Sequence, residues 1–497
     1  MHTSRFRTAI AGGAVLALAV ATSGCHNLDF SDRYAEGEID IFDNLFAVSV
    51  PDEQRAVTVG YLGAVYFTED GGDTWRKGET DTLESLYSVS MADALHGWAV
   101  GQSGTILRTD DGGKTWSRQP NLKEDEGAHL FGVYAIDSQT AWVVGEWGSR
   151  VLTRDGGHSW VDQSLTITFD HPQFVWLDPR DQEKVRTGEK VYEDVGLNSV
   201  FCLPNEPERC WIVGEFGYIF YSDDQGETWV PGEIVGDIRI EPIRFGHNQI
   251  EIPADDAKRL AEFANQVEDA THLNIVIEAF VSNQEIVEFG STDDPYPLFD
   301  IVSARIGEAR AILEDAGVLS DRFRLPSKPP WDYDDFLEAD PTFLQRYIDG
   351  RRAEEPILRV GVIQNPYLYT VRFRDTENGL IAGLGGVVLR SEDGGRTWKY
   401  RTMERKQALF SVRTFGERAI AVGEKGFVTF STDGGSTWAP PNDGDFPTVF
   451  TFMRDLDFEG EHRLGLIVGQ EGMVLRSRDR GATWSQVLPP KSRRRGA

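Results

Sequence analysis

The clearest pattern along the chain is an apolar run, a pair of glycines framing two residues, and a second apolar run, repeated many times. GWAVGQSGTILRTDD (97–111), AWVVGEWGSRVLTRD (141–155) and CWIVGEFGYIFYSDD (210–224) each read as strand, Val-Gly tip and strand. A shorter apolar strand opens each unit, as in LYSVS (86–90), LFGVY (130–134) and LFSVR (409–413). The second long strand of every unit runs into an octet of the form Ser/Thr-x-Asp-x-Gly-x-Thr/Ser-Trp, which occurs seven times. Its Asp and Trp are Asp70 and Trp75, Asp111 and Trp116, Asp155 and Trp160, Asp224 and Trp229, Asp393 and Trp398, Asp433 and Trp438, and Asp479 and Trp484. This is turn chemistry: the carboxylate accepts backbone N–H bonds across a tight loop, Gly supplies positive φ, and the hydroxyls add local bonds. The Trp ring then buries itself in the adjoining strand layer, where losing it typically costs ~3–5 kcal/mol. Seven repeats of one aspartate suit a structural staple and not a single catalytic site.

With the strand that carries the Trp, each unit has four strands. Trp-to-Trp spacings are 41, 44, 69, 169, 40 and 46, so four of the six intervals are bare and two carry insertions. Four short strands with Gly-rich turns at a period of about 40 residues form one blade of a β-propeller. The expected fold is mainly β: a seven-bladed propeller with an inserted α+β domain. The expected boundaries are 45–236 for blades one to four, 237–364 for the insertion and 365–489 for blades five to seven.

Inside the insertion the period changes. IRIEPIRFGHNQIEI (238–252) reads as strand, and 253–269 places Ala257, Leu260, Phe263, Ala264 and Val267 on one helical face. LNIVIEAFVS (273–282) is a buried strand, 300–318 is a helix with Asp300 as N-cap and Gly317 as its stop, and PILRVGVIQ (356–364) is a last strand. The order is β-α-β-α-β.

Composition narrows the function. With Lys+Arg 50 and Asp+Glu 80 the formal charge is −30, a balance that repels phosphate backbones and excludes nucleic acid as a partner. A 40% hydrophobic chain with 13 Trp and 28 Phe has ample core and is not disordered. The nine His are scattered, with no His-Glu-x-x-His pair, so neither a metal nor another cofactor is expected. Three cysteines are too few for a disulfide scaffold. Cys202 and Cys210 flank a Pro-Asn-Glu-Pro turn on the first two strands of blade four and can pair across that hairpin, reduced buried thiols being the alternative.

The N-terminus reads as an export signal: Arg5 and Arg7 precede an apolar core from Ala9 to Ala21, too short to span a membrane. It ends in Thr22-Ser23-Gly24-Cys25, which resembles a bacterial lipobox and implies a 1–24 signal peptide, lipidation at Cys25, a linker over 25–44 and a place on the periplasmic face of the outer membrane. The tail Lys491-Ser-Arg-Arg-Arg495 lies in a basic, disordered end over 490–497.

Seven Asp-box (BNR) octets within a repeated Val-Gly-x-x-Gly frame resemble the photosystem II stability/assembly factor family and its bacterial relatives. The resemblance implies a non-enzymatic assembly or accessory factor for a membrane-protein complex, efflux-type transporters among them. The insertion resembles the OmpA-like domain: Asn274–Phe280 stands at its central strand, Ser303–Gly317 at its signature helix, and Gly350-Arg351-Arg352 before its last strand. There Arg305 matches the arginine that grips cell-wall peptide, while Ser282 stands where its aspartate partner would be. This gives the second reading, a peptidoglycan tether. The third is a sialidase-like glycan hydrolase, since sialidases share the octet; only Arg324-Leu325-Pro326 comes near their Arg-Ile-Pro motif.

In a propeller the Val-Gly tips and the between-blade connections emerge on one face. The tips place Tyr61, Glu146, Trp147, Glu215, Phe216 and Glu424 there, together with the 165–196 segment and the insertion. Exposed aromatics among acidic tips make this face the expected partner surface.

Overall fold

The computed structural model describes residues 43–120, 127–169, 171, 173–174, 177–235, 240–267, 273–289, 296–324, 352–364, 366–401 and 405–488. Cys25, the signal segment, the basic tail, Arg351 and the Arg324–Pro326 tripeptide beyond its first residue lie outside them.

Each octet-bearing unit folds as its own antiparallel sheet. The first runs Leu45–Ser49, Ala56–Gly60, Val65–Thr68 and Arg76–Lys77, each strand paired with the next. The same order recurs from Leu86, Leu130, Leu197, Leu368, Leu409 and Met453, giving seven such sheets among the described residues. In blade six the fourth strand shrinks to an isolated bridge between Phe430 and Ala439. The second strand of a blade, such as Gly97–Gly101, is buried at every position. Neighbouring blades cover it on both faces, so its sequence is a continuous apolar run instead of an alternating one. The outermost strands, such as Ser117–Arg118, are exposed.

The innermost strands follow one another in a closed ring, with the strand from Leu45 touching both its successor from Leu86 and the last blade's strand from Met453. Each of these strands is a free sheet edge, and its amides would be costly if left unpaired. Side chains of the preceding blade cap them. Ser49 Oγ accepts from Met91 N–H, Ser88 Oγ from Val133 N–H and Ser90 Oγ from Ala135 N–H. At the seam between the last blade and the first, carboxylates replace the serines. Asp455 accepts from Val48 N–H at 3.0 Å and Asp457 from Val50 N–H at 2.8 Å.

The octets lock the blades together. In the first, Thr74 N–H and hydroxyl reach Asp70 at 2.8 and 2.6 Å, and Gly72 N–H donates to Thr68 Oγ1 at 2.9 Å. The fifth-position glycine of each octet rests on the second strand of the preceding blade. A Cβ on Gly226 would lie 2.2 Å from the Trp142 ring, and one on Gly435 would lie 2.4 Å from Leu380.

Residues 243–364 form a separate sheet with helices. Its central strand, Leu273–Ser282, pairs antiparallel with Ile357–Gln364, which carries Ile243–Arg244 on its other side, while Phe323–Arg324 and Arg352–Ala353 add parallel to the central strand. Helix α2 (Ala254–Val267) buries Leu260, Phe263, Ala264 and Val267, the face that the sequence pattern selects. A shorter α3 (Asn283–Phe289) and a long α4 (Tyr296–Asp315) follow, numbered after a helix α1 (Pro179–Thr187) in the connection between blades three and four.

Three details differ from expectation. The opening strand is confined to Ile243–Arg244, because the polar Gly246–Gln249 stretch turns the chain. Helix α4 begins ahead of Asp300, which therefore lies inside it; Pro297 suits a first helical turn. Gly317, at φ +99°, ends the helix as expected. The insertion also gains α3, so its order is not a simple β-α-β-α-β. Before the insertion begins, Glu233–Ile234 joins the outer edge of blade five, parallel to Thr397 and Trp398.

Candidate functional site

The Val-Gly tips are short turns whose second residue is left-handed. Leu62, Ser103, Trp147, Phe216, Lys425 and Glu471 have φ between 52° and 59°, and only blade five has a glycine there, Gly385. That backbone is unfavourable for bulky side chains. The third residue of each tip reaches the connection entering the next blade: Gly148 N–H donates to Val195 O, Gly217 to Pro366 O and Gly472 to Asp43 O. Tips and connections thus share one face, and the octets occupy the other.

The expected partner residues are placed as follows. Tyr61 and Phe216 stand in solvent, 49% and 43% exposed. Trp147 is half-buried instead of exposed. Glu146 folds inward to accept His129 N–H at 2.8 Å, and Glu215 accepts Gly196 N–H at 3.1 Å. Burial raises the Glu215 carboxyl, the Gly196 amide opposes this, and the negative Asp194 and Glu146 nearby add to the rise. Glu424 accepts Ala408 N–H at 3.4 Å and lies 3.5 Å from Lys425 Nζ. Exposed Leu62, Leu83, Leu384 and Phe450 extend the apolar part of this face, and none of these four belonged to the expected set.

A second feature of the face escaped the sequence reading. The residue after the opening Leu or Met of each innermost strand is half-buried: Phe46, Tyr87, Phe131, Asn198, Tyr369, Phe410 and Arg454. Rings of successive blades are close, with centroids 6.0 Å apart for Phe46 and Tyr87, 6.1 Å for Tyr87 and Phe131, and 5.7 Å for Tyr369 and Phe410. The Arg454 guanidinium lies over Phe410 at 4.8 Å and Phe452 at 5.0 Å. Burial lowers its pKa to about 10, opposed by the charges of Tyr369 and Glu424. The signal was available in the repeated Leu-aromatic step of LF, LY, LF, LY and LF that opens five blades.

Cys202 and Cys210 are opposite each other on the hairpin of blade four, with their sulfurs bonded and Cα atoms 4.0 Å apart.

In the insertion, Arg305 is fully buried. Its Nη2 meets Glu285 Oε1 at 2.6 Å, its Nε donates to Gln249 O at 2.8 Å, and its guanidinium covers the Phe245 ring at 4.7 Å. A solvated helix arginine is therefore excluded. Glu285 also accepts Ser282 N–H at 3.0 Å while Ser282 Oγ accepts Glu285 N–H at 3.2 Å, a reciprocal capping box that starts α3. Ser282-Asn-Gln-Glu285 carries that signature in the sequence, and Glu285 could have been found from it.

Both oxygens of each octet carboxylate accept hydrogen bonds from their own loop, as Asp155 does from Ser159 N–H at 2.9 Å and the Ser159 hydroxyl at 2.6 Å. Among the described residues no group of three or more His, Cys, Asp or Glu is placed to hold a metal, and no helix is long and apolar enough to cross a membrane.

Residues 75–176 and 353–442 match the family described as photosynthesis system II assembly factor YCF48, and 220–231 match the BNR/Asp-box repeat. Over these segments the chain is similar to the photosystem II assembly factor family, and it carries the Asp-box repeat. Among curated protein sequences none matches it. A solved structure of YCF48 bound to D1 peptide is similar at 15% identity and TM-score 0.47, over 89% of this chain and 95% of that one. YCF48 from Cyanidioschyzon merolae is similar at 19% identity and TM-score 0.35, over 80% and 97%. A GH74 xyloglucanase from Xanthomonas campestris is similar at 11% identity and TM-score 0.47, over 91% of this chain and 55% of that one. The matched segments contain the tips of blades two, three, five and six, so they overlap the tip face.

Proposed function

We propose that this protein is a non-catalytic binding scaffold of the cell envelope, exported, lipidated at Cys25, and holding a membrane-protein complex on its tip face as an assembly or accessory factor. An efflux-type transporter is the preferred partner. The observation that carries this reading is the gathering of solvent-facing Tyr61, Leu62, Phe216, Leu384 and Phe450 on one face, where exposed apolar groups mark interaction surfaces. The YCF48 structure bound to a D1 peptide supports a membrane-protein segment as the kind of ligand. Non-catalytic action agrees with octet carboxylates whose two oxygens both bond to their own loop. A peptidoglycan tether is disfavoured, because Arg305 already spends its guanidinium on Glu285 and Gln249.

The test is affinity purification of the tagged full chain from detergent-solubilised envelopes, beside a Tyr61→Ser, Trp147→Ser, Phe216→Ser variant with unchanged melting. A membrane protein recovered with the parent and lost with the variant is the expected result. Recovery of no membrane protein, or equal recovery with both, defeats the proposal.

A further inference from the structure

The aromatic residues at the axial opening fall into two arcs with different contents. In one, Tyr369, Phe410 and Phe452 surround the chain's own guanidinium, that of Arg454, with Glu424 near enough to stabilise its charge. The Nε of Arg454 is buried without a hydrogen-bond partner, so the rings and the neighbouring charge hold this cation in place of a salt bridge. On the opposite side, Phe46, Tyr87 and Phe131 form an arc with matching ring spacing; the His129 ring meets Tyr87 edge-on at 6.2 Å, and no arginine or lysine sits over these three rings among the described residues. Glu84 and Glu146 are close enough to this arc to raise the Tyr87 hydroxyl pKa, after burial as the first cause. Neither carboxylate has a cationic partner among the described residues; Glu146 spends one oxygen on His129 N–H.

Building on the tip-face reading above, we infer that the open arc of Phe46, Tyr87 and Phe131 receives an arginine side chain from an extended segment of the partner, as the filled arc receives Arg454. The faces of aromatic rings attract cations, and a guanidinium stacks on them better than an ammonium does. The unpaired carboxylates Glu84 and Glu146 complement its charge, and the acidic chain as a whole favours approach of a basic segment. The exposed apolar tips then cover the residues on either side of that arginine.

The probe is an acetylated and amidated Ala-Leu-Arg-Leu-Ala peptide, with a twin in which citrulline replaces arginine, keeping its length and planar end group while removing the charge. Both are titrated calorimetrically against the full chain, against Tyr87→Leu and against Glu146→Gln, which keeps an acceptor for His129 N–H. The arginine peptide is expected to bind about tenfold more tightly than its twin, more weakly in high salt, and at the twin's level in both variants. Thermal melting identifies a variant that fails to fold, and Phe131→Leu then serves in place of Tyr87→Leu. Equal binding of the two peptides, no binding of either, or unchanged preference in the variants overturns the inference. Competition by phosphocholine at the same arc also overturns it, in favour of a lipid headgroup. Partner capture by the Tyr87→Leu chain at the parent level, with loss in the tip triple variant, would leave the scaffold reading standing and remove this one alone.

Discussion

Asp155 and Asp433 show how far a single carboxylate can be shaped by an eight-residue loop. The hydroxyl of Ser159 in one and of Thr437 in the other leads a set of bonds that draws each carboxyl down to about 2. A lowered folded-state value makes the ionised form the stabilising one. Its contribution is complete above the unfolded value of about 3.9 and disappears as pH falls through the folded value. The double variant Asp155→Asn, Asp433→Asn should therefore melt below the parent at pH 6, with the gap closing between about pH 4 and pH 2; calorimetry at both ends measures it. At Gly226 the limit is steric. With φ +86° and the Trp142 ring 2.2 Å from a would-be Cβ, Gly226→Ala should cost about 2–5 kcal/mol in urea unfolding. Gly188 has a similar φ of +82° and nothing within 4 Å, so Gly188→Ala should cost about 1 kcal/mol. Comparison of the two separates backbone strain from blade contact.

At the level of elements, the two parts of the chain were legible to different degrees. The blades were readable because their second strands are covered on both sides and so declare themselves as unbroken apolar runs, and because Asp-x-Gly turns recur at fixed offsets. The order of the insertion was only partly readable. Its α4 starts at Tyr296, not Asp300, since capping preferences yield to a proline that tolerates the first turn. Glu285 was missed because its partner lies 20 residues away and its role needs both the capping box and the fold of α4 against it. That pair makes a prediction of its own. Glu285→Ala leaves a buried guanidinium without its carboxylate and should destabilise the insertion by about 3–5 kcal/mol, seen as limited proteolysis within 243–364, while the propeller amides keep their hydrogen-exchange protection. The aromatic arcs were hidden for another reason. Alternation along one strand shows which residues share a side, but only closure of the ring brings residues from different blades to one opening.

For the whole molecule, closure rests largely on side chains. Among the described residues no strand is exchanged between the first and last blades; beside the backbone bond from Gly472 N–H to Asp43 O, Asp455 and Asp457 clasp Val48 and Val50, helped by Arg476 and Arg478 on Asp73. Asp455→Ala with Asp457→Ala should release both amides, cost about 1–3 kcal/mol for each, and raise exchange at Val48 and Val50 ahead of the other blades. The strand direction within every blade has a further outcome. Because the first strand begins at the tip end, at Leu45, and the last strand ends there, at Leu488, both chain ends depart from the same side as the tips. Under the lipidation proposed at Cys25, the anchor would join the propeller on the side that carries the tips, so the proposed partner surface and the anchor would share one side.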